Sequence, residues 1–405
     1  MRISLLIITL MLFIGGCLFS QEVAQWRGPN RDGIYPGNDL LKSWPENGPQ
    51  LLWHYDELGD GHASAAVTKD RIYTAGVTGN TGSIFCFTLD GKLLWKLPYG
   101  EDWVESWPGV RSTPLIYDGK LYFISGFGKL ICWNADKGDE VWSLDVMKEF
   151  HGLNIKWGIT ENLLIDGNNL FCTVGGVDTN VVALNKDNGK LLWVSKGNGE
   201  KSAYCSPMLI KLPTRSIFVT QTESSILGID AANGTLLWRH DQPNKWSVHA
   251  NTPVYHEGFL FCSSGYGQGG VMLNVAPDGT SVQEVWRNAS MDNRMGGFVL
   301  LNGNLYGSDD SNKGWYCLDW KTGKVLFSEK VVNRGTTIAA DGMLYFYGDT
   351  GELALVEPLP QGFKKISAFK IPYGSAQHWA HPVIVDGKLY VRHGNSLMVF
   401  DIKSK

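Results

Sequence analysis

Ser112-Thr-Pro-Leu-Ile-Tyr-Asp118-Gly119-Lys-Leu-Tyr-Phe-Ile-Ser125-Gly126 holds an apolar run, a two-residue turn and an alternating strand, and continues through Leu130-Ile-Cys-Trp133 to Gly138 and Trp142. Asp-Gly between alternating apolar residues is a favoured hairpin turn, because both positions accept positive φ and the turn's twist suits the flanking strands. A third strand then ends at a Gly-bearing turn, and a fourth carries the tryptophan. Four short strands joined this way make one blade of a β-propeller.

The unit recurs along the chain. Variants of the opening hairpin stand at Ile165-Asp166-Gly167, Leu301-Asn302-Gly303, Ala340-Asp341-Gly342 and Val385-Asp386-Gly387-Lys388-Leu389-Tyr390. The fourth-strand signature, Gly followed by Trp, stands at Gly91-Trp95, Gly138-Trp142, Gly189-Trp193 and Gly234-Trp238, and weakly at Gly279 before Trp286; Phe327 follows Gly323, and Phe369 is a fainter echo. From Trp53 onward these aromatics are 41 to 51 residues apart, the length of a four-stranded blade. The first strands open near His62, Arg111, Trp157, Tyr204, His249, Arg294, Arg334 and His378, again eight positions. Because the chain begins with an outer strand, Gln50-Leu-Leu-Trp53-His-Tyr55, and ends after three strands at Phe400-Asp401, its two ends must share a blade. The sequence therefore predicts an all-β, eight-bladed β-propeller of four-stranded blades over residues 50–405. Its last blade is closed by the N-terminal strand, which covers an otherwise unpaired edge.

The recurring Asp/Asn-x-x-x-Gly-Lys-x-x-Trp pattern (Asn185 to Trp193; Asp230 to Trp238 with Thr235 for Lys) resembles the tryptophan-docking repeat of the PQQ-like propellers. The resemblance covers residues 50–403 and specifies fold more closely than function. That family includes calcium-dependent quinoprotein dehydrogenases and also cofactor-free lipoproteins such as the propeller subunit of the outer-membrane β-barrel assembly machine, to which this chain is similar.

Composition agrees with strands and turns: 48 Gly and 48 aromatic residues stand in a chain of 405 residues that is only 19% charged, which excludes a disordered chain. The net charge of −4 and the dispersed Lys and Arg give no footprint for a nucleic-acid backbone, so nucleic acid is excluded as a main partner. Met1-Arg2, the apolar run Ile3 to Ile14 and Gly15-Gly16-Cys17 have the order of an export signal. The run is shorter than the roughly twenty residues of a membrane span. Ile14-Gly15-Gly16-Cys17 resembles a bacterial lipobox, which makes residues 1–16 a signal peptide and Cys17 the lipid-attachment residue. Residues 17–49 become a lipid-anchored tether and cap. Leu18 after the Cys would, by resemblance to enteric sorting, permit passage to an outer membrane. The expected location is the cell envelope, as a periplasm-facing or surface lipoprotein.

Six Cys remain, an even number that invites a disulfide reading in an oxidising compartment. Cys86, Cys132 and Cys317, however, recur at one repeat position and so fall in different blades, too far apart to bridge. Buried free thiols are expected instead.

First-strand openings face the mouth of a propeller's channel. Here they carry His62, Arg111, Trp157, Tyr204, His249, Asn251, Arg294, Arg334, His378, Trp379 and His381. Cations and aromatics in a ring suit an anionic or extended ligand through charge-assisted hydrogen bonds, stacking and cation–π contact. The candidate ligand-binding rim is His62, Arg111, Trp157, His249, Asn251, Arg294, Arg334, Trp379 and His381. No metal is assigned. A family dehydrogenase would need a vicinal Cys pair over the quinone, oxygen ligands for Ca²⁺ and an Asp base. No Cys-Cys occurs, and only Glu161, Asn162, Asn251 and Asp292 stand near several openings. Turn and cap hydrogen bonding explains those four, and no catalytic residue is assigned. The expectation is a non-catalytic, lipid-anchored envelope propeller without a cofactor, binding an envelope protein or a small anionic ligand; the alternative is a PQQ- and calcium-dependent dehydrogenase.

Overall fold

The computed structural model describes residues 23–404, so Cys17 and the signal segment lie outside the described residues. Eight sheets, each built on four antiparallel strands, form the ring. The first blade runs Ala66–Val67, Arg71–Thr78, Thr81–Thr88 and Leu93–Glu101. The eighth consists of Val383–Val385, Lys388–His393 and Ser396–Asp401 with Gln50–Tyr55 as its outer strand, paired Trp53 to Val399 and Tyr55 to Leu397. The chain ends share a blade as the count of strands required.

The turns obey their sequence. Asp118-Gly119, Asn302-Gly303, Asp341-Gly342 and Asp386-Gly387 all have positive φ at both residues, the conformation a two-residue hairpin needs. In blade three the turn moves one residue on, to Gly167-Asn168, since Asp166 pairs with Asn169.

The repeated tryptophan docks blade onto blade. Each indole lies over the turn glycine of the next blade and donates its N–H to a carbonyl there: Trp95 to Asp136 at 2.9 Å, Trp142 to Lys186 at 2.9 Å, Trp193 to Ala231 at 3.2 Å. A Cβ on Gly189 would meet the Trp142 ring at 2.9 Å, and one on Gly234 the Trp193 ring at 2.6 Å. Glycine is required there by the neighbour's ring as well as by its own positive φ. Trp238 departs from the pattern. Its ring folds over Gly228 of its own blade, its N–H is unpartnered, and Gly279 meets Ile217 and Leu212 instead.

Opposite several docking aromatics the third strand carries a register shift and a small residue: Cys86 faces Trp95, Cys132 faces Trp142 and Cys317 faces Phe327. These cysteines recur because a compact apolar side chain fits beneath the ring. All six described cysteines are free and buried, and burial raises each thiol's pKa.

Residues 23–49 plug one end of the channel. β1 (Val23–Ala24) pairs antiparallel with the innermost strand of blade two, and β2 (Ile34–Tyr35) pairs in parallel with that of blade seven. Between them a loop enters the channel carrying two arginines, both with positive φ. Arg27 donates to the carbonyls of Phe298 at 2.6 Å and Thr337 at 3.2 Å; Arg31 donates to those of Asn162 at 2.7 Å, Leu163 at 2.9 Å and Pro207 at 2.9 Å. Two buried guanidinium groups thus tie the inner edges of blades three, four, six and seven to the plug, and burial lowers both pKa values to about 10. The segment then passes Leu40, which bridges to Lys403, and becomes β3 (Gln50–Tyr55).

Candidate functional site: an aromatic cup at the channel mouth

Every inner strand runs from the mouth toward its hairpin turn, so the residues preceding it converge on the axis. They enclose a cavity of about 420 Å³ lined by Trp, Arg and Tyr side chains. The plug supplies the floor. Trp26 meets the His381 ring edge-on at 4.9 Å, and Arg27 donates to His381 Nδ1 at 2.9 Å. Burial and the Arg27 charge push the His381 pKa well below its usual value. The ring is therefore neutral, and its partners assign the proton to Nε2, facing the Met295 carbonyl at 3.3 Å.

Three arginines stand in the wall, each differently engaged. Arg111 donates to the Trp157 carbonyl at 2.6 Å and to that of Trp107, clamping blade two to blade three; burial lowers its pKa to about 10. Arg294 pairs with Asp310 at 2.9 Å and lies over the Tyr266 ring at 5.5 Å. Arg334 sits between Asp349 at 3.1 Å and Asp310 at 3.5 Å. Burial pushes the Asp310 carboxyl up to about 6 against the opposing pull of both arginines. Arg294 and Arg334 are thus already neutralised, and Arg111 is the wall arginine held by carbonyls alone.

Indoles form the rim. Trp107 and Trp246, 48% and 44% exposed, stand at the opening. Trp107 packs on Trp379 at 5.4 Å and Trp379 on His62 at 4.9 Å. Lys156 lies over both Trp157 and Trp246, at 5.0 and 5.2 Å, a cation–π bracket joining these two neighbouring indoles. Burial and the nearby Arg111 and Arg392 charges lower the pKa of buried His62 to about 3, so it is neutral.

Seven of the nine rim residues expected from the sequence line this one cup: His62, Arg111, Trp157, Arg294, Arg334, Trp379 and His381. His249 and Asn251 do not, and the period of extended chain explains why. Val248 and Ala250 face the cavity, so the alternate residues turn away. Asn251 instead donates to Ser263 and Asn293 carbonyls and accepts from the Gly297 N–H at 3.1 Å, stapling blade five to blade six. His378 is turned away in the same manner between Gln377 and Trp379, stacked on His393 at 3.6 Å. Sequence reasoning missed Trp107, Trp246, Asp310 and Asp349, which lie outside the opening positions, and Trp26 and Arg27, which come from the plug.

A calcium–quinone site does not fit these residues. Glu161, Asn251 and Asp292 do not line the cup. Glu161 accepts from the Thr173 N–H at 2.8 Å and hydroxyl at 3.0 Å, and Asp292 accepts from the Gly267 N–H at 2.9 Å. Asn162 does line the cup, yet its Oδ1 accepts from the Thr113 N–H at 2.6 Å and its amide donates to Ser206 at 2.8 Å. The four side chains are spent on internal hydrogen bonds. Among the described residues no cluster of His, Cys, Asp and Glu has the arrangement of a metal site.

Ring, docking tryptophans and plugged cup together define an eight-bladed propeller of the PQQ-like type. The chain belongs to the family described as outer membrane protein assembly factor BamB, whose profile matches residues 80–329. It is 24% identical to the BamB of Shewanella oneidensis over 61% of this chain and 64% of that protein, and 29% identical to the quinoprotein alcohol dehydrogenase PedH of Pseudomonas putida over 36% of this chain. These matches span just under two thirds of the first relative's length and 24% of the second's. The crystal structure of BamB from Moraxella catarrhalis superposes with a TM-score of 0.61 at 14% identity, covering 87% of this chain and 99% of that one, a likeness of fold.

Proposed function

We propose that the protein is a non-catalytic scaffold of the cell envelope, tethered through a lipid on Cys17 to the outer membrane, which engages another envelope protein at the aromatic cup. Family membership supports the BamB-type scaffold. The observation that carries the reading over the dehydrogenase is the commitment of Glu161, Asn162, Asn251 and Asp292 to internal hydrogen bonds that hold the channel wall together. Freeing them for a cation would unfasten that wall. What the cup offers is recognition surface: exposed indoles around a half-buried, partly neutralised arginine set, the residue types that dominate protein interfaces.

The test is a titration of the purified protein with PQQ and Ca²⁺, recording absorbance and dye-linked alcohol oxidation together. The expected result is no saturable spectral change and no turnover. Turnover abolished by Asp292→Ala or Glu161→Ala would replace the scaffold with the enzyme.

A further inference from the structure

The plug and the cup occupy opposite ends of the channel. Val23 pairs with Tyr117, beside the Asp118-Gly119 turn, whereas Arg111, six residues earlier in the same blade, stands in the cup wall. Because β1 runs antiparallel to that strand, the chain enters from the hairpin end and descends toward Trp26 at the cup floor. Val23 also lies on the axis side of blade two, inside all four of its strands. Around it, on the hairpin end, a separate recess of about 980 Å³ is lined by plug residues and by residues beside the inner hairpin turns, among them Ile165, Met208, Lys211 and Tyr255.

Chain length then restricts orientation. Five residues lie between Cys17 and Val23, and the six steps from one to the other reach at most about 22 Å when fully extended. To turn the cup toward the anchoring membrane, the tether would first cross from Val23 to the outermost strand of blade two, four spacings of roughly 4.8 Å, or about 19 Å. It would then descend the depth of the blade. Residues 111–117 alone span about 20 Å at roughly 3.3 Å per residue. The path of about 39 Å, the sum of these two legs, exceeds the tether.

We infer that the hairpin end, with the plug and its recess, faces the membrane that holds the lipid, and that the cup opens away from it. This rests on the reading of Cys17 as the anchor. The cup's partner accordingly approaches from the aqueous side, while lipid headgroups meet the turns around Lys211.

The inference is tested with the lipidated full chain in vesicles carrying a headgroup-attached quencher. A dye is placed through Lys211→Cys at the hairpin end or Lys245→Cys beside Trp246 at the mouth; the six described native cysteines are buried and do not compete. Quenching at position 211 should exceed that at 245 by threefold or more, and Cys17→Ser should abolish both signals. Equal or greater quenching at 245, with the Cys17→Ser variant unquenched, would overturn the orientation while leaving the anchor intact. Quenching unaffected by Cys17→Ser would overturn the anchor and the orientation with it.

Discussion

Trp53 donates its indole N–H to the Leu89 carbonyl at 3.1 Å and covers Gly91 so closely that a Cβ there would meet the ring at 2.5 Å. This contact joins blade eight to blade one. On the other side of blade eight, Phe369 packs over Gly48, where a Cβ would meet its ring at 2.5 Å. The N-terminal strand thus receives an aromatic from blade seven and delivers one to blade one, closing the ring by the contacts that join other blades.

Gly91→Ala should therefore cost more than Gly119→Ala. Both glycines have positive φ, but a Cβ on Gly119 meets nothing within 4 Å. The second change carries only the left-handed backbone penalty of about 1–2 kcal/mol, and the first adds overpacking of about 1–3 kcal/mol. Urea midpoints of the two variants check this, and in a Trp53→Ala background the difference should vanish.

Arg27→Met should lower stability by about 3 kcal/mol or more, because it strands the Phe298 and Thr337 carbonyls and His381 Nδ1 without their charged donor. Arg239→Met, on the exposed outer strand, should shift it by no more than about 0.5 kcal/mol. Chemical denaturation of both variants measures the plug's contribution against an ordinary surface arginine.

Arg334→Ala should also destabilise, since it leaves Asp310 and Asp349 with less compensation in the wall. Melting temperatures should fall further for Arg334→Ala than for Arg111→Gln, whose partners are carbonyls.

Stability should depend on pH through Glu161. Burial raises its carboxyl from 4.5 to about 7, so the folded chain binds this proton more tightly than the unfolded chain. The stabilisation is complete below about pH 4.5 and is lost as pH rises through about 7. Glu161→Gln has no such loss, so its stability relative to wild type should climb across that window by up to about 3 kcal/mol. His62 and His249, lowered to about 3 and about 4, act oppositely: their stabilisation is present above 6.5 and lost as pH falls through those values. Denaturation midpoints of wild type and Glu161→Gln at pH 4.5, 6 and 8 isolate the Glu161 contribution.

The fold was legible because its physical requirements repeat. A docking indole demands a glycine under it and a small residue opposite, so Gly189, Trp142 and Cys132 report on packing as well as on local turns. Trp238 carries the same signature and docks differently, since Gly279 belongs to a turn already filled by Ile217 and Leu212. The cup was legible where extended chain opens a first strand, and misread where a one-residue step decides the face, as at His249 and Asn251. The plug gave no repeat to compare, so nothing local distinguished Arg27 and Arg31 from solvated loop arginines. Their partners are backbone carbonyls more than a hundred residues away.

A photoactivatable amino acid in place of Trp107, at the cup's mouth, tests the proposed scaffold most directly when crosslinked in growing cells beside the same probe at Leu192 on the outer face. The expected result is a discrete adduct with one envelope protein from position 107, several-fold stronger than from 192 and weakened at least tenfold by Trp157→Ala with Trp379→Ala at unchanged melting temperature. An adduct from 192 with none from 107, or one from 107 indifferent to the loss of both indoles, would contradict it and move the docking surface to the blade edges.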